Sequence, residues 1–129
     1  MRYLLDTHVV IWFFDDVDRL AKGVYDKILD PTSECFVSIA SAWEIAIKMG
    51  TGKLRFDGGV SEFFNAISDN GFEILPVTRE YLETLESLPL LHRDPFDRLL
   101  ISTALTEELT IITADDNIQR YEVAWIWQR

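Results

Sequence analysis

The sequence is poor in the features on which several protein classes depend. Its 129 residues include one cysteine, Cys35, so no disulfide can form within the chain, and a reducing compartment such as the cytoplasm is expected. No apolar run approaches the ~20 residues that span a bilayer, and Asp6 interrupts the first apolar stretch before a signal-peptide core is complete. No repeat or low-complexity tract is visible. A single domain over residues 1–129, with no membrane segment, is therefore predicted.

Positive charge is also scarce. Lysine and arginine number 12 against 22 aspartates and glutamates, which gives a formal net charge of −10. Proteins that coat nucleic acid are usually basic, so this class is disfavoured. An enzyme whose site is built from carboxylates is compatible with the charge, as is a protein that binds a basic partner segment. A hydrophobic fraction of 48% is ordinary for a folded domain with a real core.

Apolar runs and helix signals alternate along most of the chain. Short apolar runs predict strands at residues 1–5, 35–37, 72–75, 110–113 and 123–127. Helical spacing predicts helices at residues 8–14, 18–29, 39–49, 60–68, 79–85 and 95–107, with a short helix or turn at 115–119. Ser38, Thr78 and Asp94 are suited to cap the helices that follow them. This alternation predicts an α/β protein, a three-layer α/β/α sandwich with a mostly parallel central sheet.

Four acidic residues stand where such a fold would aim them at one cleft. Asp6 follows the first strand and Asp115 lies two residues beyond the fourth, and parallel sheets bind ligands beyond the carboxyl ends of their strands. Glu44 lies about two turns into the helix after the second strand. Asp97 is near the start of the helix that precedes the fourth strand, and only tertiary folding can bring it to the others.

Carboxylates gathered in one cleft repel one another, so a cation or protons must compensate them. For an all-oxygen site the natural cation is Mg²⁺ or Mn²⁺. We therefore take metal-assisted phosphodiester hydrolysis as the leading hypothesis. The candidate catalytic and metal-binding residues are Asp6, Glu44, Asp97 and Asp115. The candidates to support these carboxylates through hydrogen bonds or outer contacts are Thr7, Asp94 and Thr113.

Each acid also has an ordinary structural interpretation. The alternatives are a helix cap for Asp6, an ion pair with Lys48 for Glu44, a charge at a helix N-terminus for Asp97, and a turn position for Asp115, with Asp116 as its nearest substitute. Asp94 is the better cap for a helix that begins at Pro95, which leaves Asp97 for chemistry.

Other polar and aromatic residues are interpreted more conservatively. His8 and His92 are expected to be structural, because a metal site can generate its own nucleophile from water. Trp125 and Trp127 are expected to pack in the core or at a dimer contact rather than to stack on bases. The candidate phosphate contacts are Lys48, Lys53, Arg55, Arg93 and Arg98. For each of them a solvated surface position is the preferred interpretation.

Four blocks of sequence resemble those of a PIN-domain ribonuclease, and more closely the VapC-type toxins of bacterial toxin–antitoxin pairs. The blocks are Leu4-Leu5-Asp6-Thr7-His8, Ser38-Ile39-Ala40-Ser41-Ala42-Trp43-Glu44-Ile45, His92-Arg93-Asp94-Pro95-Phe96-Asp97-Arg98-Leu99-Leu100-Ile101 and Ile112-Thr113-Ala114-Asp115. The third is the most specific, since a strand followed by aspartate is common. The blocks occur in the right order over nearly the whole chain.

The resemblance implies a compact α/β/α sandwich and a Mg²⁺- or Mn²⁺-dependent endoribonuclease. It implies that the acids matching the family's quartet form the site, that the protein is a homodimer, and that a cognate antitoxin inhibits it. Because a site rich in carboxylates attracts an arginine, the antitoxin is expected to carry a basic tail. The alternatives are a catalytically inactive PIN-fold binding module, a metal-dependent DNA nuclease and a phosphatase.

Overall fold

The computed structural model describes residues 1–127 and is built on a five-stranded sheet. Its strands are β1 (Arg2–Leu5), β2 (Glu34–Ser38), β3 (Glu73–Leu75), β4 (Thr110–Ile112) and β5 (Trp125–Ile126). Their order is β3-β2-β1-β4-β5, and all four pairings are parallel. The predicted parallel sheet is therefore confirmed, although its last strand is shorter than expected. Residues 128 and 129, which end the predicted domain, lie outside the described residues.

Helices connect the strands and cover both faces of the sheet. Within residues 1–127 they are α1 (Thr7–Asp15), α2 (Lys22–Leu29), α3 (Ile39–Gly50), α4 (Gly59–Asp69), α5 (Arg79–Glu86), α6 (Pro95–Glu107) and α7 (Asp116–Gln119). The side chains of Ser38, Thr78 and Asp94 accept hydrogen bonds from backbone N–H groups in the first turns of α3, α5 and α6, as predicted. No helix in this part of the chain has the length and apolar character required to cross a membrane.

The predicted helix over residues 18–29 is wrong in its first part. Val17–Arg19 form a 3-10 turn, Leu20 is extended with φ −76° and ψ 138°, and α2 begins only at Lys22. Leu20, Val24 and Ile28 are nevertheless all buried. The four-residue spacing of these residues therefore reflects their burial against the sheet. Leu20 reaches its buried position from an extended segment, not from a helix.

Alternating strand residues divide the core into two layers. Consecutive side chains of a strand point to opposite faces of the sheet. The cluster that packs with α1 to α4 contains one set of strand residues, Leu5, Val37 and Ile112. The cluster that packs with α6 and α7 contains the residues one position earlier, Leu4, Phe36 and Ile111. The predicted α/β/α sandwich is confirmed.

The order of the strands reverses at β1, which pairs with β2 on one side and with β4 on the other. Such a reversal leaves a crevice at the carboxyl ends of the strands, because the connections leave in opposite directions. The backbone N–H of Asp6 donates to the carbonyl of Ile112 at 3.0 Å, which extends the pairing of β1 and β4 by one residue. Asp6 therefore stands at the base of this crevice.

Candidate active site

Asp6 is one of two acids of the crevice that are almost completely buried. It is 4% exposed, directly follows β1, and accepts a 2.8 Å hydrogen bond at Oδ2 from Oγ1 of Thr113. Burial raises the pKa of Asp6 to about 6 against the opposing effect of the Thr113 hydrogen bond, and repulsion from Asp115 and Glu44 adds to the rise. Asp6 occupies the N-cap position of α1, but its side chain makes no capping bond. The helix-cap interpretation of this carboxylate therefore fails.

Asp97 lies in the first turn of α6, where Asp94 is the cap. Oδ1 of Asp94 accepts the backbone N–H of both Phe96 and Asp97, at 2.9 and 3.1 Å. Burial raises the pKa of Asp97 to about 8, together with repulsion from Asp94 first and then from Asp6, Asp115 and Glu44. The tertiary fold therefore brings Asp97 into the electrostatic range of the other three acids, a step that the sequence alone could not show.

Glu44 is buried on α3 and paired as well. It is 4% exposed, and its Oε2 lies 2.6 Å from the ammonium of Lys48, one turn along the helix. The pKa of Lys48 is raised, chiefly by this hydrogen bond, and Asp94 and Asp97 contribute at longer range. The ion-pair interpretation of Glu44 is thus correct in geometry, and it places Lys48 inside the field of the carboxylate cluster.

Asp115 caps α7 and is linked to Asp6 through Thr113. Its Oδ1 accepts the backbone N–H of Asn117 at 2.8 Å, and its own N–H donates to Oγ1 of Thr113 at 3.0 Å. Asp115 is half-buried, whereas Asp116 is exposed. The hydroxyl of Thr113 therefore fixes the backbone of one acid and the carboxylate of another.

Thr7 does not make the hydrogen bond that was expected for it. Its Oγ1 donates to Oγ of Ser41 at 2.8 Å, so the expected hydrogen bond from Thr7 to a site carboxylate is not formed. Both hydroxyls are buried. Thr7 instead ties the start of α1 to α3, the helix that carries Glu44.

A cleft of about 380 Å³ opens beside Asp6 and Asp115. Its other lining residues are His8, Trp12, Arg19 and Ala114. The guanidinium of Arg19 lies 4.8 Å from the centre of the Trp12 ring, within range of a cation–π contact. One wall of the cleft is thus anionic, and the other carries a cation on an aromatic platform. No motif marks Arg19 in the sequence, because its position depends on the 3-10 turn that the pattern predicted as helix.

Arg98 has a structural role rather than the phosphate contact considered for it. Its NH1 donates to the carbonyl of Pro89 at 2.8 Å and to the hydroxyl of Tyr121 at 2.9 Å, and its NH2 donates to the carbonyl of Leu88 at 3.3 Å. Tyr121 also lies 2.9 Å from Nδ1 of His92, whose Nε2 lies 3.1 Å from Oδ2 of Asp97. This connection between His92 and the candidate site has no signature in residue spacing.

The four carboxylates interact electrostatically without forming a ready-made coordination shell. No group of three or more histidine, cysteine, aspartate or glutamate side chains within residues 1–127 is arranged to hold a metal ion. One oxygen of Glu44 contacts Lys48, and one of Asp97 contacts His92. The donors nevertheless fit Mg²⁺ or Mn²⁺ in kind, because they are all carboxylate oxygens and burial and repulsion disfavour the charge of Asp6 and Asp97.

The chain belongs to the PIN-domain family, whose model matches residues 3–124. Among solved structures, it is similar to VapBC2 from Rickettsia felis bound to a DNA fragment from its promoter, with a TM-score of 0.75 and 17% identity over 99% of this chain and 100% of that one. It is also similar to VapBC-1 from nontypeable Haemophilus influenzae (TM-score 0.66, 16% identity, 98% and 97% covered) and to FitAcB from Neisseria gonorrhoeae (TM-score 0.64, 18% identity, 96% of each covered). At these identities the likeness establishes the shared fold. A comparison with curated proteins gave no significant match.

Proposed function

We propose that this protein is a metal-dependent endoribonuclease that hydrolyses RNA phosphodiester bonds. The observation that carries the proposal is the mutual repulsion of carboxylates around the crevice beside β1 and β4, which together with burial raises the pKa of Asp97 to about 8. Burial and mutual repulsion make the ionised form of these carboxylates unfavourable, and a bound cation would compensate for this cost. Membership of the PIN-domain family supports nuclease chemistry over other uses of such a cluster.

The proposed cofactor is Mg²⁺ or Mn²⁺, held by Asp6, Glu44, Asp97 and Asp115. When bound, such an ion acts as a Lewis acid toward the scissile phosphate and lowers the pKa of water. Asp6 or Asp97 orients the attacking water. The Lys48 ammonium lies in the same field, and it favours the negative charge that develops on the phosphoryl oxygens in the transition state.

The substrate enters, in this proposal, through the cleft beside Asp6. Arg19 supplies the positive charge that an RNA phosphate needs near an anionic site, and Trp12 holds the guanidinium in place. Single-stranded or loop RNA fits this arrangement better than a duplex, because its backbone can bend into a narrow cleft. The proposed place of action is the cytoplasm.

The proposed partner is an antitoxin with a basic tail, and the protein is the toxin of that pair. The similar structures from Rickettsia felis and Haemophilus influenzae are VapBC complexes, which supports this assignment. An arginine of the tail would lie among the four carboxylates and pair with them in a bidentate manner. The net charge of −10 speeds the association of a basic segment, and salt slows it.

Co-expression tests this partner directly. Inhibition should fall when the tail arginine is changed to alanine, and it should weaken as salt is added. Inhibition that ignores both changes would show that the partner acts away from the carboxylates.

The proposed oligomer is a homodimer. Trp43, 60% exposed, and Ile47 lie one turn apart on α3, and Trp43 contacts the ring of Phe96 edge-on with centroids 5.1 Å apart. Exposed apolar side chains grouped in this way can be buried in a symmetric contact between two copies of the chain. Sedimentation at tens of micromolar protein should give a dimer, and a monomer at that concentration contradicts the proposal.

A cleavage assay tests the proposed activity. The protein is incubated with total cellular RNA, with single-stranded DNA and with a phosphomonoester, each with Mg²⁺, with Mn²⁺ or with EDTA. RNA should be cut internally and only when a divalent ion is present. Equal cleavage of DNA would favour the DNA nuclease, release of phosphate alone would favour the phosphatase, and inertness toward all three would favour a binding module.

A further inference from the structure

Four side chains form a continuous hydrogen-bonded path that ends on Asp97. The path runs from Arg98 to the hydroxyl of Tyr121 at 2.9 Å, from that hydroxyl to Nδ1 of His92 at 2.9 Å, and from Nε2 of His92 to Oδ2 of Asp97 at 3.1 Å. His92, Asp97 and Arg98 lie between α5 and α7 in the sequence, and Tyr121 lies two residues after α7. The direction of each bond follows from the donors that meet at Tyr121.

Three groups that can act only as hydrogen-bond donors lie within hydrogen-bond distance of the Tyr121 oxygen. They are NH1 of Arg98 at 2.9 Å, the backbone N–H of His92 at 3.2 Å and the backbone N–H of Leu91 at 3.3 Å. The remaining partner among the described residues is Nδ1 of His92. The single hydroxyl hydrogen of Tyr121 is therefore directed to Nδ1, which must act as the acceptor.

An imidazole that accepts at Nδ1 carries its hydrogen on Nε2 when it is neutral. Nε2 of His92 then donates to Oδ2 of Asp97, so every bond of the path points from Arg98 toward the carboxylate. His92 and Asp97 are both largely shielded from water, with side chains 11% and 13% exposed. Water competes weakly for such bonds, so the path holds its orientation.

We propose that His92 is a positioning residue for Asp97. The Nε2–H holds Oδ2 of Asp97 and fixes the rotation of this carboxylate, while the Tyr121 hydroxyl keeps the imidazole in the required tautomer. This inference rests on the proposed function for its consequence, since it concerns how Asp97 is presented to a divalent ion. Loss of a hydrogen-bond partner that orients a metal ligand typically lowers metal affinity or activity by about 10–100-fold.

Packing alone is the competing explanation. The rings of His92 and Tyr121 contact edge-on with centroids 5.4 Å apart, so His92 would contribute to the core even without a donor. The two explanations make opposite demands on a replacement side chain. A positioning role needs an N–H near Asp97, whereas a packing role needs a flat ring beside Tyr121.

The first test observes the tautomer without any substitution. The chain has two histidines, so long-range proton–nitrogen correlation spectra of the ¹⁵N-labelled protein contain two imidazoles, and His92→Gln identifies the one that disappears. The expected pattern for His92 is that of a ring with its hydrogen on Nε2 and an acceptor at Nδ1. The pattern of the Nδ1–H tautomer would overturn the inference.

The second test separates donor from ring. His92→Gln keeps an N–H donor that reaches Asp97, and His92→Phe keeps the ring without a donor. Metal affinity by calorimetry should fall by roughly 10–100-fold in His92→Phe and by much less in His92→Gln, and kcat should follow the same order while KM for RNA is little changed. Any other order of the two variants overturns the inference. Failure of the wild-type protein to cut RNA would instead count against the proposed function and leave the tautomer result standing.

Discussion

The ammonium of Lys48 lies 2.6 Å from Oε2 of Glu44, so the carboxylate cluster contains a cation supplied by the chain itself. The hydrogen bond to Glu44 is the main reason that the pKa of Lys48 is raised, and Asp94 and Asp97 add to it. A divalent ion that uses Glu44 must compete with this ammonium. The pair would therefore limit the affinity of the proposed metal site.

Removing the Lys48 charge should strengthen metal binding. We expect Lys48→Met to bind Mg²⁺ or Mn²⁺ roughly tenfold more tightly, because the loss of one nearby positive charge is worth about 1 kcal/mol or more at short range. Calorimetric titration measures the affinity. Lys22→Met, at the exposed start of α2, makes the same change in net charge and is the control. Equal effects in the two variants would show that overall charge, not the Glu44 pair, sets the affinity.

Asp97→Asn should keep the fold and lose the chemistry. The asparagine amide oxygen can still accept the hydrogen bond from His92. The substitution removes a negative charge that the other acids repel, so the metal-free protein should melt at a higher temperature above about pH 8. The rise in melting temperature on adding Mg²⁺ should shrink, and RNA cleavage should fall by at least about 100-fold. Asp116→Asn changes an exposed neighbour of Asp115 by the same charge and should behave like the wild type. If cleavage and the metal response both survive in Asp97→Asn, the role given to Asp97 is wrong.

The stability of the metal-free protein should fall as the pH rises. Asp6 and Asp97 have folded pKa values of about 6 and about 8, above the value near 4 of an aspartate in an unfolded chain. The folded state therefore binds more protons, and the stability from these two groups is complete below about pH 4 and is lost as the pH passes through 6 and then 8. Urea unfolding in EDTA should give a smaller free energy of unfolding at about pH 8.5 than at about pH 5.5. Asp97→Asn should flatten the upper part of the curve, and a stability that rises over this range would contradict the prediction.

Thr113→Val should destabilise the protein through Asp6. The substitution removes the 2.8 Å bond to a carboxylate that is 4% exposed and leaves the backbone N–H of Asp115 without its acceptor. The expected loss is about 1–3 kcal/mol of unfolding free energy near neutral pH, measured by chemical denaturation. Thr113→Ser keeps the hydroxyl and should recover most of it. A serine variant that is no more stable than the valine variant would show that the methyl group, not the hydrogen bond, matters at this position.

Arg19→Ala should weaken RNA binding more than catalysis. We expect KM for RNA to rise several-fold with a small change in kcat, because Arg19 lines the cleft with its guanidinium over the Trp12 ring. Loss of one phosphate contact should reduce the slope of log affinity against log salt concentration by about 0.7 for single-stranded RNA. Arg79→Ala, on the exposed surface of α5, removes the same charge outside the cleft. Identical salt slopes for the two variants would remove Arg19 from the proposed RNA path.

Local chemistry made much of the fold predictable. The Asp94-Pro95 pair marks the start of α6, because aspartate caps the free N–H groups and proline fits the first turn, and the structure places both as expected. Short apolar strands between helices were sufficient to predict a parallel sheet. The order of elements then placed Asp6 and Asp115 beyond the ends of β1 and β4.

The remaining features depend on contacts between distant segments. The approach of Asp97 to Asp6 requires α6 to pack on the sheet, which no local pattern encodes. Arg19 lies over Trp12 at the end of a 3-10 turn, although the apolar spacing there is that of a helix. His92 reaches Asp97 within five residues, yet its orientation depends on Tyr121, 29 residues further on.

The bond between Thr113 and Asp6 joins residues 107 positions apart, and this distance has a consequence during synthesis. A growing chain that ends at α5 already contains Asp6 and Glu44 but lacks Asp97 and Asp115. Parallel pairing of β1 with β4 cannot begin until residue 110 has left the ribosome, and such long-range pairing forms slowly. A chain still being synthesised therefore lacks the assembled carboxylate cluster, so the activity proposed for the protein could begin only after β4 and α7 have been made.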